Sequence, residues 1–200
     1  MVDLFLSING IEINAADLAG RTPLIVAAML NNKELVETLI AKEADANRRD
    51  HEGKTPLDHA IVKSNSEITE FLCNHTKLEL NVGVRNHSPL YMATRMTSDE
   101  VFDTVNAACK KLEPAQYAKL CELALHAAIA SNKEDCFNQL LEVSGVTSLV
   151  EDDDGWTPSM YCATCYHMTV LRYGINCFRD YLYAGRPLET RRTRRPTAKA

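Results

Sequence analysis

Glycine, proline and tryptophan are scarce in this chain, at 8, 7 and 1 of 200 residues, and aromatics make up only 6%. Few glycines and few rings suit helix-on-helix packing of Leu, Ala, Ile and Val. No apolar run approaches membrane-spanning length. The start, Met1-Val-Asp-Leu-Phe-Leu-Ser-Ile, is too short and lacks the basic flank of a signal peptide. There is no Gly-rich phosphate loop and no paired-carboxylate motif in a pocket-forming context. The seven cysteines are odd in number and irregular in spacing, which argues against a disulfide framework and for a reducing compartment. These absences together predict a soluble, intracellular, most simply cytoplasmic protein.

Two hundred residues suffice for one domain, and 46% hydrophobic content suffices for a packed core. Net charge is −5, unevenly placed: residues 186–200 hold six Arg or Lys and one Glu, leaving about −10 on residues 1–185. An acidic body argues against nucleic-acid binding, which needs Lys and Arg against phosphate.

The period of the sequence is more informative. Asp50-His-Glu-Gly53-Lys-Thr55-Pro56-Leu57 has a counterpart 33 residues upstream, Asp17-Leu-Ala-Gly20-Arg-Thr22-Pro23-Leu24. Another lies 33 residues downstream at Asn86-His87-Ser88-Pro89-Leu90, and a further copy at Asp152-Asp-Asp-Gly155-Trp-Thr157-Pro158. Gly53 supplies the positive φ of a tight turn, Thr55 can cap the next helix, and Pro56 fits its first turn without losing a hydrogen bond. A 33-residue unit of turn, Thr-Pro-Leu, short helix and second helix resembles the ankyrin repeat over roughly residues 4–172. The resemblance implies an all-α helical solenoid with short β-turn fingers, working as a non-catalytic protein–protein interaction scaffold. The alternative it leaves is a regulatory or targeting segment of a larger enzyme or signalling protein.

Shifted back by 33, Leu39 to Asn47 overlays Leu6 to Asn14, so the chain is expected to open inside the second helix of a repeat. A stack that begins this way leaves an apolar face for missing repeats or a second copy to cover, and a fragment of a longer array is the favoured reading. Whole repeats then follow from Asp17, from Asp50 and from Ser88. Between Ala107 and Leu120 no turn device occurs. Instead, residues 113–128 read as one long helix begun by Pro114, so the fourth repeat keeps its helices but loses its finger. Ser131-Asn132-Lys133-Glu134 is matched to Asn31-Asn32-Lys33-Glu34 at an offset of 100. A fifth repeat weakens after Ala163, because Gly174 falls at a core leucine position. The domain is therefore drawn at 1–183, with a basic disordered tail at 184–200.

The resemblance also implies where a partner binds: finger tips and the outward face of each first helix. By motif position the finger candidates are Leu18, Ala19 and Arg21; His51, Glu52 and Lys54; Arg85 and His87; Asp153, Asp154 and Trp156. The helix-face candidates are Met29 and Leu30, Val62 and Lys63, Arg95 and Met96, Ile129 and Ala130. Met29, Leu30, Val62, Met96 and Ile129 form an apolar track, and exposed contiguous apolar area marks binding surfaces. The competing reading is that the next finger or the irregular third-to-fourth connection covers them. Trp156 fits either a binding anchor or a local plug.

Cys162-Ala-Thr-Cys165-Tyr-His167 has the look of zinc ligands, but Cys162 stands where Ala27 and Ala60 pack, and no second ligand pair is evident. A thiol nucleophile near His126 would need a base in reach and a cationic setting. Instead, the pattern packs Cys73, Cys136 and Cys162 and leaves His126 half exposed. Glu151–Asp154 lacks the spaced ligands of a calcium loop. No catalytic residue, metal, cofactor or small-molecule substrate is therefore expected. The run Arg191–Arg195 makes nuclear targeting a further possibility.

Overall fold

The computed structural model describes residues 12–75, 78–80, 88–96, 98–143, 155–157 and 160. Its helices are α1 (Pro23–Met29), α2 (Lys33–Ala41), α3 (Pro56–Val62), α4 (Ser66–His75), α5 (Pro89–Met96), α6 (Asp99–Cys109), α7 (Pro114–Ala130) and α8 (Glu134–Leu141). They pair in sequence as hairpins: α1 with α2, α3 with α4, α5 with α6, α7 with α8. First helices α1, α3, α5 and α7 lie side by side in one layer, and α2, α4 and α6 in a second. No strand occurs among the described residues.

Each unit starts with the same local chemistry. Gly20, Gly53 and Gly155 share a left-handed backbone at φ +77°, +78° and +76°. Directly after each glycine turn, a hydroxyl accepts the N–H three residues on: Thr22 from Ile25, Thr55 from Asp58, and Thr157 from Met160. Ser88 does the same for Tyr91. At Thr55 the device is reciprocal, because the Asp58 carboxylate accepts the Thr55 backbone N–H at 2.8 Å. Such a capping box satisfies two donors that the helix start leaves orphaned.

Between the helices of a hairpin the backbone again turns left-handed, at Asn31 (φ +57°), Ser64 (φ +53°) and Asn132 (φ +54°). The next residue caps the second helix in two cases, Asn32 to Leu35 N–H and Asn65 to Ile68 N–H. The structural equivalent of Asn31 is thus Asn132, an offset of 101. The shared Asn-Lys-Glu string at an offset of 100 sets the fourth repeat one residue out. Lys133 consequently holds the capping position, where its side chain makes no cap bond.

One leucine per first helix anchors the interior: Leu24, Leu57, Leu90 and Leu125 are all fully buried. Around them run Ala27, Ala60, Ala93 and Ala128, small enough for backbones to approach closely. A single continuous core extends from Leu24 to Leu140, so each hairpin completes its neighbour's interior. Fully burying one such leucine contributes about 1.5–3 kcal/mol.

The fourth unit departs from the plan as the sequence predicts: Pro114 opens a 17-residue helix where a finger would stand. Its extra turns bring Tyr117 inward, and the Tyr117 hydroxyl donates to buried Asn106 Oδ1 at 2.7 Å. Asn106 Nδ2 donates in turn to Gln139, and Gln139 Nε2 to Asp103. Helices α6 and α8 are therefore joined by long polar side chains.

Candidate protein-recognition surface

The fingers are built around a carboxylate. In the first, Asp17 Oδ1 accepts the backbone N–H groups of Ala19 and Arg21 at 2.9 Å each. Its Oδ2 takes the Arg21 guanidinium at 2.7–2.8 Å. The Arg21 side-chain bond, aided by the backbone donors, holds the Asp17 carboxyl at about 2. In the second finger Asp50 Oδ1 accepts Glu52 and Lys54 N–H, and Oδ2 meets His59 Nε2 at 2.7 Å. Burial alone would raise the Asp50 carboxyl, but the His59 bond and the backbone donors prevail and lower it. Successive fingers are tied directly, His51 N–H to Ala19 C=O at 3.0 Å.

On these fingers Leu18 stands fully in solvent, and His51 and Glu52 are exposed. Arg21 and Lys54 are each paired with an acid of their own finger, Asp17 and Glu52. Arg85, His87, Asp153 and Asp154 lie outside the described residues, as do Cys162, Cys165, His167 and the tail drawn at 184–200. Trp156 is 38% exposed, and its carbonyl meets His126 Nε2 at 3.1 Å.

Two expectations about the first helices are overturned. Ile129 is 2% exposed and belongs to the core, so it is no part of an apolar track. The one-residue offset explains it: Ile129 corresponds to buried Ala28, and the outward positions of the fourth repeat are Ala130 and Ser131. His126 is 5% exposed instead of half exposed. It corresponds to buried Ile25 and Asp58, and its two ring nitrogens face the carbonyls of Glu122 and Trp156. Sequence reading also missed the His59–Asp50 pair, whose one signal is a histidine nine residues after a finger aspartate.

What remains outward is a strip along the C-terminal ends of the first helices. Leu30 is 71% exposed and Met96 53%, with Lys63 and Arg95 exposed between them. Met29 and Val62 are half-buried, Val62 against the core. Carboxylates are concentrated in the other layer, where Glu34, Glu37, Glu67, Glu70, Glu100 and Asp103 repeat at intervals of 33 residues on α2, α4 and α6. Among the first helices the only acids are buried Asp58 and half-buried Glu122. The second layer is thus acidic, while helices α1, α3, α5 and α7 balance Arg95 and Lys119 against Asp58 and Glu122.

Burial outweighs the nearby lysines Lys111, Lys110 and Lys133 at Cys73, Cys121 and Cys136. Burial pushes Cys73 up to about 12, Cys121 and Cys136 to about 11, and Cys109 upward as well. A thiol in that range is protonated at neutral pH and a poor nucleophile. Among the described residues no three His, Cys, Asp or Glu side chains converge as metal ligands, and no helix is long and apolar enough to cross a membrane.

Residues 1–86 match the family model for ankyrin repeats, in three copies. No curated protein matches the sequence. Among solved structures, 304 chains match, so the likeness identifies an architecture and not an activity. One belongs to the complex of the Bd0816 predatory endopeptidase from Bdellovibrio bacteriovorus with the immunity protein Bd3460. It is 19% identical with a TM-score of 0.60, covering 90% of this chain and 86% of that one.

Proposed function

From a chain whose residues 1–86 carry ankyrin repeats, modules that in general bind proteins and are typically non-catalytic, we infer a protein-recognition scaffold. The partner docks across the C-terminal ends of the first helices and the adjoining fingers. Leu30, Lys63, Arg95 and Met96 form the centre of that surface; Met29 and Val62 form its half-buried floor, and His51, Glu52, Lys54 and Trp156 its finger side. One observation carries the reading. The position after α1 and the last position of α5 are structurally equivalent and both place a large apolar side chain in solvent. A stack holding nothing would be expected to put polar groups there. The stack is rigid because each hairpin shares its core with its neighbours, so little ordering is lost on capture.

Leu30→Glu/Met96→Glu tests the surface. Both sites are solvent-facing, so helicity by circular dichroism is expected to be unchanged while capture of partners in pull-down is lost. Capture that persists at wild-type level removes the surface from the account.

A further inference from the structure

We propose that the segment this surface takes is an acidic one, with Asp or Glu side chains flanking apolar anchors. The inference rests on the recognition surface described above and adds the chemistry of its occupant.

The cations carry the argument. Lys63 and Arg95 are exposed, adjacent to Leu30 and Met96, and make no ion pair among the described residues. Their neighbours are differently placed: Lys33 is answered by Glu67, Lys54 by Glu52, and Lys133 approaches Asp99. No exposed acid lies on α1, α3 or α5. Although residues 1–185 carry about −10, these two cations beside exposed apolar side chains have no ion pair among the described residues.

A simpler role exists for a cation at a helix C-terminus, which is to complement the helix dipole. α1 and α7 have no basic residue in their last turn and form regular helices all the same. The dipole therefore does not require Lys63 or Arg95. The nearest second-layer acids in sequence, Glu67 and Asp99, are approached by Lys33 at 3.1 Å and by Lys133 at 4.0 Å, and neither is ion-paired to Lys63 or Arg95 among the described residues. An apolar–cationic strip selects against basic segments, whose charges would be left repelled, and favours acidic ones.

The test is selection of a displayed random-peptide library on the purified full chain. Recovered peptides are expected to be enriched in Asp or Glu beside Leu, Ile, Met or Phe. Lys63→Gln/Arg95→Gln should weaken them about 3- to 10-fold at physiological salt, and Leu30→Glu/Met96→Glu should abolish binding. Selection on Lys63→Glu/Arg95→Glu should turn the preference to Lys and Arg, which a purely helix-stabilising role would not do. Peptides without acidic bias that still depend on Leu30 and Met96 overturn this inference and leave the surface standing. Peptides indifferent to all four positions, or a failure to recover any, sink the surface and the inference together.

Discussion

Gly20 and Gly53 occupy the same bend in consecutive fingers, with φ values one degree apart, so alanine at either must enter the left-handed region. That alone costs about 1–2 kcal/mol. At Gly20 the facing finger is close. A Cβ on Gly20 would sit 2.6 Å from His51 Cδ2 and 3.0 Å from His51 N. The exposed imidazole can rotate aside. The backbone nitrogen cannot, because it donates to Ala19 C=O, and relief requires loosening that link between fingers, about 0.5–1.5 kcal/mol more. Gly20→Ala is therefore expected to lose about 2–3 kcal/mol in urea unfolding followed by circular dichroism. His51→Ala in the Gly20→Ala background should recover little, since the backbone contact remains. A loss of no more than about 1–2 kcal/mol at Gly20, the cost of the left-handed backbone alone, would refute the claim that this contact holds the first two fingers in register.

Thr69 gives a prediction of opposite sign. The hydroxyls of Thr38, Thr94 and Thr104 each donate to the carbonyl four residues back at 2.7–2.9 Å, but fully buried Thr69 Oγ1 has no partner among the described residues. Its equivalents in neighbouring repeats are Val36 and Phe102, so Thr69→Val should stabilise by about 1–2 kcal/mol, read as a higher urea midpoint. A lower midpoint would show that the hydroxyl has an energetic role. The finger carboxylates set an acid limb. A carboxyl lowered in the folded state contributes stability that is complete above its unfolded value and is lost as pH falls through its folded one. For Asp17 that window runs from the ordinary 3.8 down to about 2, and Asp50 is lowered in the same direction. Stability should therefore decline through this range, and less steeply in Asp17→Asn. Asp58 works oppositely, because burial raises it, so Asp58→Asn should steepen the acid loss. Unchanged slopes in both variants would contradict the assignments.

The architecture was legible because its signals are local. Gly20, Gly53, Thr22, Thr55 and Pro114 act through their own backbone angles or nearest amides, and each does in the fold what its residue type implies. Tertiary detail was less accessible. That His59 reaches Asp50, or that Tyr117 finds Asn106, depends on how a helix is rotated against its neighbour, which no single stretch records.

The fourth repeat shows how small an error of register matters and what it changes. Without a finger to fix its start, the match rested on Asn-Lys-Glu at an offset of 100, while Leu24 and Leu125, both core leucines, are 101 apart. One residue turns a side chain by about 100° around a helix. That rotation is enough to move Ile129 from the supposed outer face into the core and to bring Ala130 and Ser131 to the surface. The chemistry of the surface changes with it. A long apolar track would favour any greasy helix, whereas the proposed surface sets two apolar anchors beside Lys63 and Arg95, which have no ion pair among the described residues, and would discriminate by charge. The surface proposed for a partner therefore depends on register as much as on composition.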